Sequence, residues 1–142
     1  MISGSHLALA NYVARACNIN FHPDVKFNTL GWLDSRGLKV AVVYNNYVGH
    51  DMHMHIAARP GSLWCHPEVL KHMFTFPFIQ LGCKRVTAPI AVQNRRCRDT
   101  VESAGFVLEG TCRQLGPHGE DVCIYGMLKT ECRWIGEQNG CS

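Results

Sequence analysis

The segment that most restricts the fold is Arg85 to Gly110, RVTAPIAVQNRRCRDTVESAGFVLEG. It reads as a strand, a short helix and a second strand, with punctuation at each junction. Val86, Ala88, Ile90 and Val92 fall at period two, the spacing that puts alternate side chains on one face of a strand. The run ends at Gln93-Asn94. Asparagine is a favoured helix N-cap because its side-chain oxygen accepts from a free backbone N–H of the first turn. A helix from about Arg95 to Ala104 turns Cys97, Val101 and Ala104 inward and leaves Arg95, Arg96, Asp99 and Glu102 to water. Gly105 supplies a left-handed C-cap. Phe106 opens the second strand, and Gly110 sits where a bulge or a close backbone approach favours a residue without a side chain.

The sequence on either side points to a layered α/β domain. Leu7 to Cys17 is apolar at positions 7, 9, 10, 13, 14 and 17, which approximates one helical face, with Ser5 as its cap. Asn18 to Asp24 is polar and turn-rich. Phe27 to Leu33 and Leu38 to Tyr47 read as the strands of a hairpin around Asp34-Ser35-Arg36-Gly37. Val40 to Tyr44 is continuously apolar, as in a central strand covered on both faces. His50 to Ala58 alternates strictly, with Met52, Met54 and Ile56 on one side and Asp51, His53 and His55 on the other. Arg59-Pro60-Gly61-Ser62 breaks this strand. A helix follows, with His66 as its cap, Pro67 in its first turn and Glu68 favourably set against the dipole. Val69, Leu70, Met73, Phe74, Phe78 and Leu81 form its inner face, Pro77 should kink or shorten it, and it stops at Gly82. Thr111 to Leu115 continues the strand begun at Phe106, Gly116-Pro117-His118-Gly119 turns, and Val122 to Leu128 returns antiparallel. The tail from Gly136 is expected to be loose.

At 142 residues the chain fits a single domain, 1–142, without low-complexity tracts or charge blocks. Its net charge of +3 is scattered apart from Arg95, Arg96 and Arg98, so an anionic small ligand fits better than a nucleic acid. The three arginines beside one helix N-terminus could complement phosphates or simply form a solvated face. Eight cysteines stand at 17, 65, 83, 97, 112, 123, 132 and 141, with no CxxC pair and no zinc-finger spacing. With no signal segment and no apolar run near eighteen residues, a reducing cytoplasm and reduced, mostly buried thiols are expected, and no membrane partner. A disulfide framework is the alternative.

Asn94 three residues before Cys97, then Ala104-Gly105-Phe106 and Glu109-Gly110, with Tyr125-Gly126-Met127-Leu128 on a later strand, resembles the C-terminal half of GNAT-superfamily N-acetyltransferases. Within that superfamily it is most similar to the branch containing the ribosomal-protein alanine acetyltransferases, and compact phage-encoded copies of the fold exist. The resemblance covers about Phe27 to Trp134 and is strongest over 50–134. It implies an α/β (α+β) fold, a GNAT-like mixed, twisted sheet flanked by helices. The family places a strand before the first helix, and here only Met1 to His6 precede it, so that strand is expected to be shortened or absent. The resemblance further implies acetyl-CoA as cosubstrate and a primary amine of a protein or small molecule as acceptor. The setting would be the cytoplasm or, for a phage protein, the host cytoplasm or virion. A homodimer or a larger assembly stays open.

The family also implies a site. Its pantetheine arm lies between two parallel strands that splay apart, and the pyrophosphate rests on backbone N–H groups at the start of the next helix. The matching turn here comprises Gly61, Ser62, Leu63, Trp64, Cys65 and His66. It departs from the family's Arg/Gln-x-x-Gly-x-Gly/Ala pattern, since Gly61 is its one glycine and Pro60 has no N–H, and an ordinary strand-to-helix loop is the bland alternative. Asn94 would face the pantetheine arm or serve only as an N-cap. Cys97, at a position often occupied by serine or alanine, and Arg98 complete the cofactor set, although Cys97 also reads as plain core packing. The family's general-acid tyrosine falls seven residues beyond the asparagine, at Val101. Tyr125, a cysteine or water would then protonate the leaving thiolate. The base would come from the polar face of Asp51, His53 and His55, and histidine's ordinary pKa of about 6.5 suits the task. That face also reads as plain polar surface or, with His50, as a weak metal pattern, and no metal is assigned. The alternative function is a catalytically inactive GNAT-like binding or structural protein.

Overall fold

Alternation at period two extends the chain and repetition near 3.6 coils it. The computed structural model describes residues 6–19 and 26–136. The elements in order are helix α1 (His6–Cys17), strands β1 (Phe27–Asp34), β2 (Gly37–Asn45) and β3 (His53–Ala58), helix α2 (Pro67–Thr75), strand β4 (Arg85–Ala91), helix α3 (Arg95–Ala104), and strands β5 (Val107–Cys112) and β6 (Val122–Leu128). The six strands form one sheet in the order β1-β2-β3-β4-β6-β5. β3 and β4 run parallel, and the other neighbours pair antiparallel. This is the mixed sheet flanked by helices that the sequence leads one to expect.

Two apolar layers hold the helices to the sheet. On one face Leu9, Ala10 and Val13 of α1 pack against Ala41, Val43 and Ala57. On the other, Leu70, Met73 and Phe74 of α2 and Val101 and Ala104 of α3 join Val40, Val42, Tyr44, Met54, Ile56, Val86 and Met127. β2 feeds both layers, which explains its unbroken apolar run from Val40 to Tyr44. The helix ends follow their local signals. Asn94 Oδ1 accepts from the Cys97 N–H at 3.2 Å, and Gly105 takes φ 108° at the C-cap, a conformation that penalises a Cβ. His66 accepts from the Glu68 N–H and caps α2.

Several boundaries differ from expectation, each for a local reason. β3 begins at His53, so Asp51 precedes the strand, and the His50 carbonyl accepts from the Lys84 and Arg85 N–H groups. α2 ends at Thr75, and the chain widens into a π-helical turn over Phe76–Gln80, because Pro77 has no N–H for an α-helical ladder. β5 stops at Cys112 rather than Leu115: Gln114 adopts φ 55° and its N–H turns to the Asp121 carboxylate. The register of β5 against β6 slips between Leu108 and Gly110, which makes Glu109 the bulged residue.

The stretch Met1 to His6, where the family's first strand is expected to be shortened or absent, falls mainly on residues 1–5, outside the described residues, and His6 itself opens α1. Most of the turn-rich stretch (20–25) and the tail (137–142, with Cys141) also lie outside them. Seven described cysteines are free thiols, but they are less uniformly buried than anticipated. Cys65 and Cys112 are exposed and Cys17 is half-buried. No helix among the described residues is long and apolar enough to cross a membrane.

Candidate functional site

The site begins with a missing hydrogen bond. In the parallel pair, Arg85 N–H donates to His50 O at 3.1 Å and Thr87 N–H to Met52 O at 3.0 Å. The next rung would run from residue 89 to Met54, and residue 89 is a proline, without an N–H. The ladder accordingly rests on one register pair, His53 opposite Thr87. Beyond it each strand stays fixed on its outer side, β3 to β2 as far as Ala58 and β4 to β6 as far as Ala91, so a gap opens between them. A cavity of about 290 Å³ fills this gap. His53 to Ile56 and Pro89 to Ala91 form its strand walls, Cys17 at the end of α1 and Asn18 and Ile19 just beyond it close one side, and Cys97 and Val101 of α3 close another. The β5–β6 turn adds Leu115 to Pro117 and Glu120.

Both histidines line the cavity, in unequal surroundings. His55 Nε2 meets Asn45 Oδ1 at 3.1 Å, and burial, reinforced by the neighbouring His53, pushes its pKa down to about 3. Burial also lowers His53, against the opposing pull of the Asp51 carboxylate, and its Nδ1 meets Asn46 Nδ2 at 3.2 Å. The two rings stand 6.3 Å apart. Asp51 itself accepts from the Thr87 hydroxyl at 2.9 Å and lies 3.6 Å from Arg85 Nε. Arg85 in turn pairs with the bulged Glu109 at 2.9 Å. Among the described residues no group of three or more His, Cys, Asp or Glu side chains comes together in a way that could hold a metal ion.

Cys97 reaches the gap from the first turn of α3 and Cys17 from the last turn of α1, and their sulfurs lie 3.2 Å apart. Cys17 also donates to the Ile56 carbonyl at 3.8 Å, and Cys97 to the Ala16 carbonyl at 3.7 Å. The sulfur–sulfur contact with Cys17 draws the Cys97 thiol below its ordinary value, helped by Arg96 and Asn94 against the opposing effect of burial. The same contact and burial drive Cys17 upward.

The other anticipated residues lie elsewhere. Gly61 through His66 do not line the cavity. Their turn bends toward the start of β2: Ser62 N–H returns to the Arg59 carbonyl, and Ser62 Oγ reaches Lys39 O at 3.3 Å. Arg59 is occupied by an ion pair with Asp34. Leu63 is 86% exposed, Trp64 is buried, and Cys65 lies at the surface beside Ser103. Tyr125 is buried on β6, donates to Glu102 at 2.5 Å and accepts from Arg98 Nε at 3.1 Å. Arg98 also donates to the Val92 carbonyl, so neither it nor Tyr125 contributes to the cavity wall. Cys17, Pro89 and Glu120 also line the cavity, and none of them stands out in the sequence as a site residue. Of these only Pro89 carried a local signal, a residue without a donor inside an otherwise regular strand.

No family model and no curated protein matches the chain. Solved structures do. Mutant forms of the spermidine/spermine N-acetyltransferase of Vibrio cholerae align with 97% of this chain and 96% of their own at 15% identity and a TM-score of 0.63. A chimera of the Vibrio cholerae spermidine N-acetyltransferase with hSSAT aligns over 77% of this chain and 69% of its own, at 18% identity and a TM-score of 0.58. A crystal structure described as a "probable acetyltransferase" gives 22% identity and a TM-score of 0.60 over 76% of this chain. There the match spans 65% of the relative, just under two thirds of its length. At these identities the likeness is one of fold, and the fold is one found in acetyltransferases.

Proposed function

We propose that the chain is an acetyl-CoA-dependent N-acetyltransferase acting on a primary amine of a protein or small molecule. The observation that carries this reading is the gap between β3 and β4, in a fold otherwise seen in acetyltransferases. An extended pantetheine arm can take the place of the missing rungs, using the edge of β3 at Met54 that faces Pro89. The amine would attack the thioester carbonyl, the C–S bond would break, and the CoA thiolate would leave and take a proton. His53 is the better base of the two histidines, because Asp51 partly offsets its desolvation. His55, with a pKa of about 3 and Nε2 turned to Asn45, is a weak base suited to holding the strand face neutral and in place. Tyr125 already donates to Glu102, so water is the simpler proton source for the thiolate. Cys97, which lines the gap, would lie beside the arm, whereas Asn94 caps α3 and is not among the residues that line the cavity. The free thiols fit a reducing compartment such as the cytoplasm.

A second reading, a non-catalytic member of the same fold, is favoured by the 59–66 turn. Pro60 has no N–H, that of Ser62 is spent on Arg59, and the turn lies away from the cavity. One experiment separates the readings. Acetyl-CoA at about 100 times its dissociation constant should stabilise the chain by about 2.7 kcal/mol, seen as a melting point several degrees higher. Polyamines and N-terminal alanine peptides, the latter suggested by the resemblance to the ribosomal-protein branch, should then yield acetylated product. A flat titration with an unmoved melting curve overturns the acetyltransferase reading, and binding without product supports the non-catalytic one.

A further inference from the structure

The two sulfurs that meet in the gap are not needed by the acyl-transfer scheme, and their setting is that of a reactive thiol with a partner. Cys97 is the third residue of α3, where the free N–H groups of the first turn favour negative charge, and its own N–H is held by Asn94. The Arg96 charge acts in the same direction. Cys17 stands 3.2 Å away, so closing a bond of about 2.0 Å asks for roughly 1 Å of movement from two side chains at helix ends. Both line the cavity, which gives a small molecule access to Cys97 although the residue is only 2% exposed overall.

We propose that Cys17 and Cys97 form a peroxide-oxidisable thiol pair, with Cys97 the attacking and Cys17 the resolving residue, whose disulfide lies across the gap between β3 and β4. The Cys97 thiolate attacks a hydroperoxide oxygen and the O–O bond breaks. Cys97 becomes a sulfenic acid and the leaving oxygen takes up a proton as water or an alcohol. Cys17 then attacks the sulfenic sulfur, the S–O bond breaks, and the released hydroxide combines with the Cys17 proton as water. Two thiols lose two electrons and the peroxide gains them. The bond joins the end of α1 to the start of α3, two elements held otherwise by separate apolar layers. The chemistry is independent of whether acetyl-CoA enters the gap.

The test uses the reduced full chain, treated with hydrogen peroxide at about one equivalent, quenched with N-ethylmaleimide and mapped by non-reducing peptide mass spectrometry. A linked pair of peptides containing Cys17 and Cys97 should form at least about tenfold faster than any product at exposed Cys65 or Cys112, and dithiothreitol should reverse it. The oxidised chain should also melt several degrees higher, since the bond closes a long loop of the unfolded chain. In Cys17→Ser the reaction should stop at a sulfenic acid on Cys97 that dimedone traps, and Cys97→Ser should give neither product. The proposal is overturned if Cys65 or Cys112 reacts first while Cys17 and Cys97 are recovered as thiols. A 17–97 link that forms only in denaturant overturns it equally. The wild-type map decides the matter even where a serine variant fails to fold.

Discussion

His53 and His55 share one strand face and differ in what surrounds them, so they should respond differently to pH. His55 is held neutral in the folded chain down to about pH 3, whereas an unfolded histidine protonates near pH 6.5. Between those values the unfolded chain binds a proton that the folded chain does not. Stability attributable to His55 is therefore complete above about pH 6.5 and is lost as the pH falls toward 3. Urea midpoints of the wild type should drop from about pH 7.5 to about pH 4.5, and His55→Gln should show a shallower drop. Equal slopes would mean that the site stays wet. For His53, the base in the proposed acyl transfer, the expected effect is kinetic. His53→Gln should cost about 10² to 10⁴ in rate and flatten the acidic limb of the pH–rate profile while acetyl-CoA binding persists. A variant with wild-type rate would move the base to Asp51, acting through water.

At the scale of elements, Pro89 governs how β3 and β4 part. Pro89→Val restores an N–H opposite the Met54 carbonyl and adds a residue that favours strands. The ladder should lengthen by one rung, worth about 1 kcal/mol net, so the melting point should hold or rise. Acetyl-CoA affinity, read by calorimetry, should fall at least about tenfold, because the new rung occupies the space claimed for the pantetheine arm. Unchanged affinity in a stable variant would show that the cofactor lies elsewhere. α3, on the far side of the gap, depends on its cap: Asn94→Ala should destabilise the chain by about 1 kcal/mol in denaturant titration, and Asn94→Asp should retain most of that stability.

Across the whole molecule, aromatic packing ties distant stretches of chain together. Phe74 on α2 lies with its ring 6.1 Å from Phe78 in the π-helical turn and 5.9 Å from Phe106 ahead of β5. Its side chain is fully buried. Phe74→Ala should cost about 3–5 kcal/mol, a large share of the roughly 5–15 kcal/mol that holds a domain of this size folded. Chemical denaturation would measure it, and a loss below about 1 kcal/mol would mean that the layer under α2 repacks freely.

The features legible in the sequence were those decided within a few residues. Asn94 and Gly105 bound α3 because a cap acts over one helical turn. Met54 and Ile56 turn inward because strand side chains alternate, whatever lies beside them. What stayed hidden depended on neighbours remote in sequence. Pro89 could be read as a residue without a donor, but the missing rung exists only because Thr87 pairs with Met52 in a parallel register. The bend of the 59–66 turn toward Lys39 rests on the pairing of β2 with β3. Cys17 meets Cys97 across 80 positions of chain. His55 owes its low pKa to burial, which no local pattern encodes. Caps and alternation are local physics and can be read from the sequence, whereas strand register, desolvation and the meeting of two sulfurs are settled only when distant segments pack.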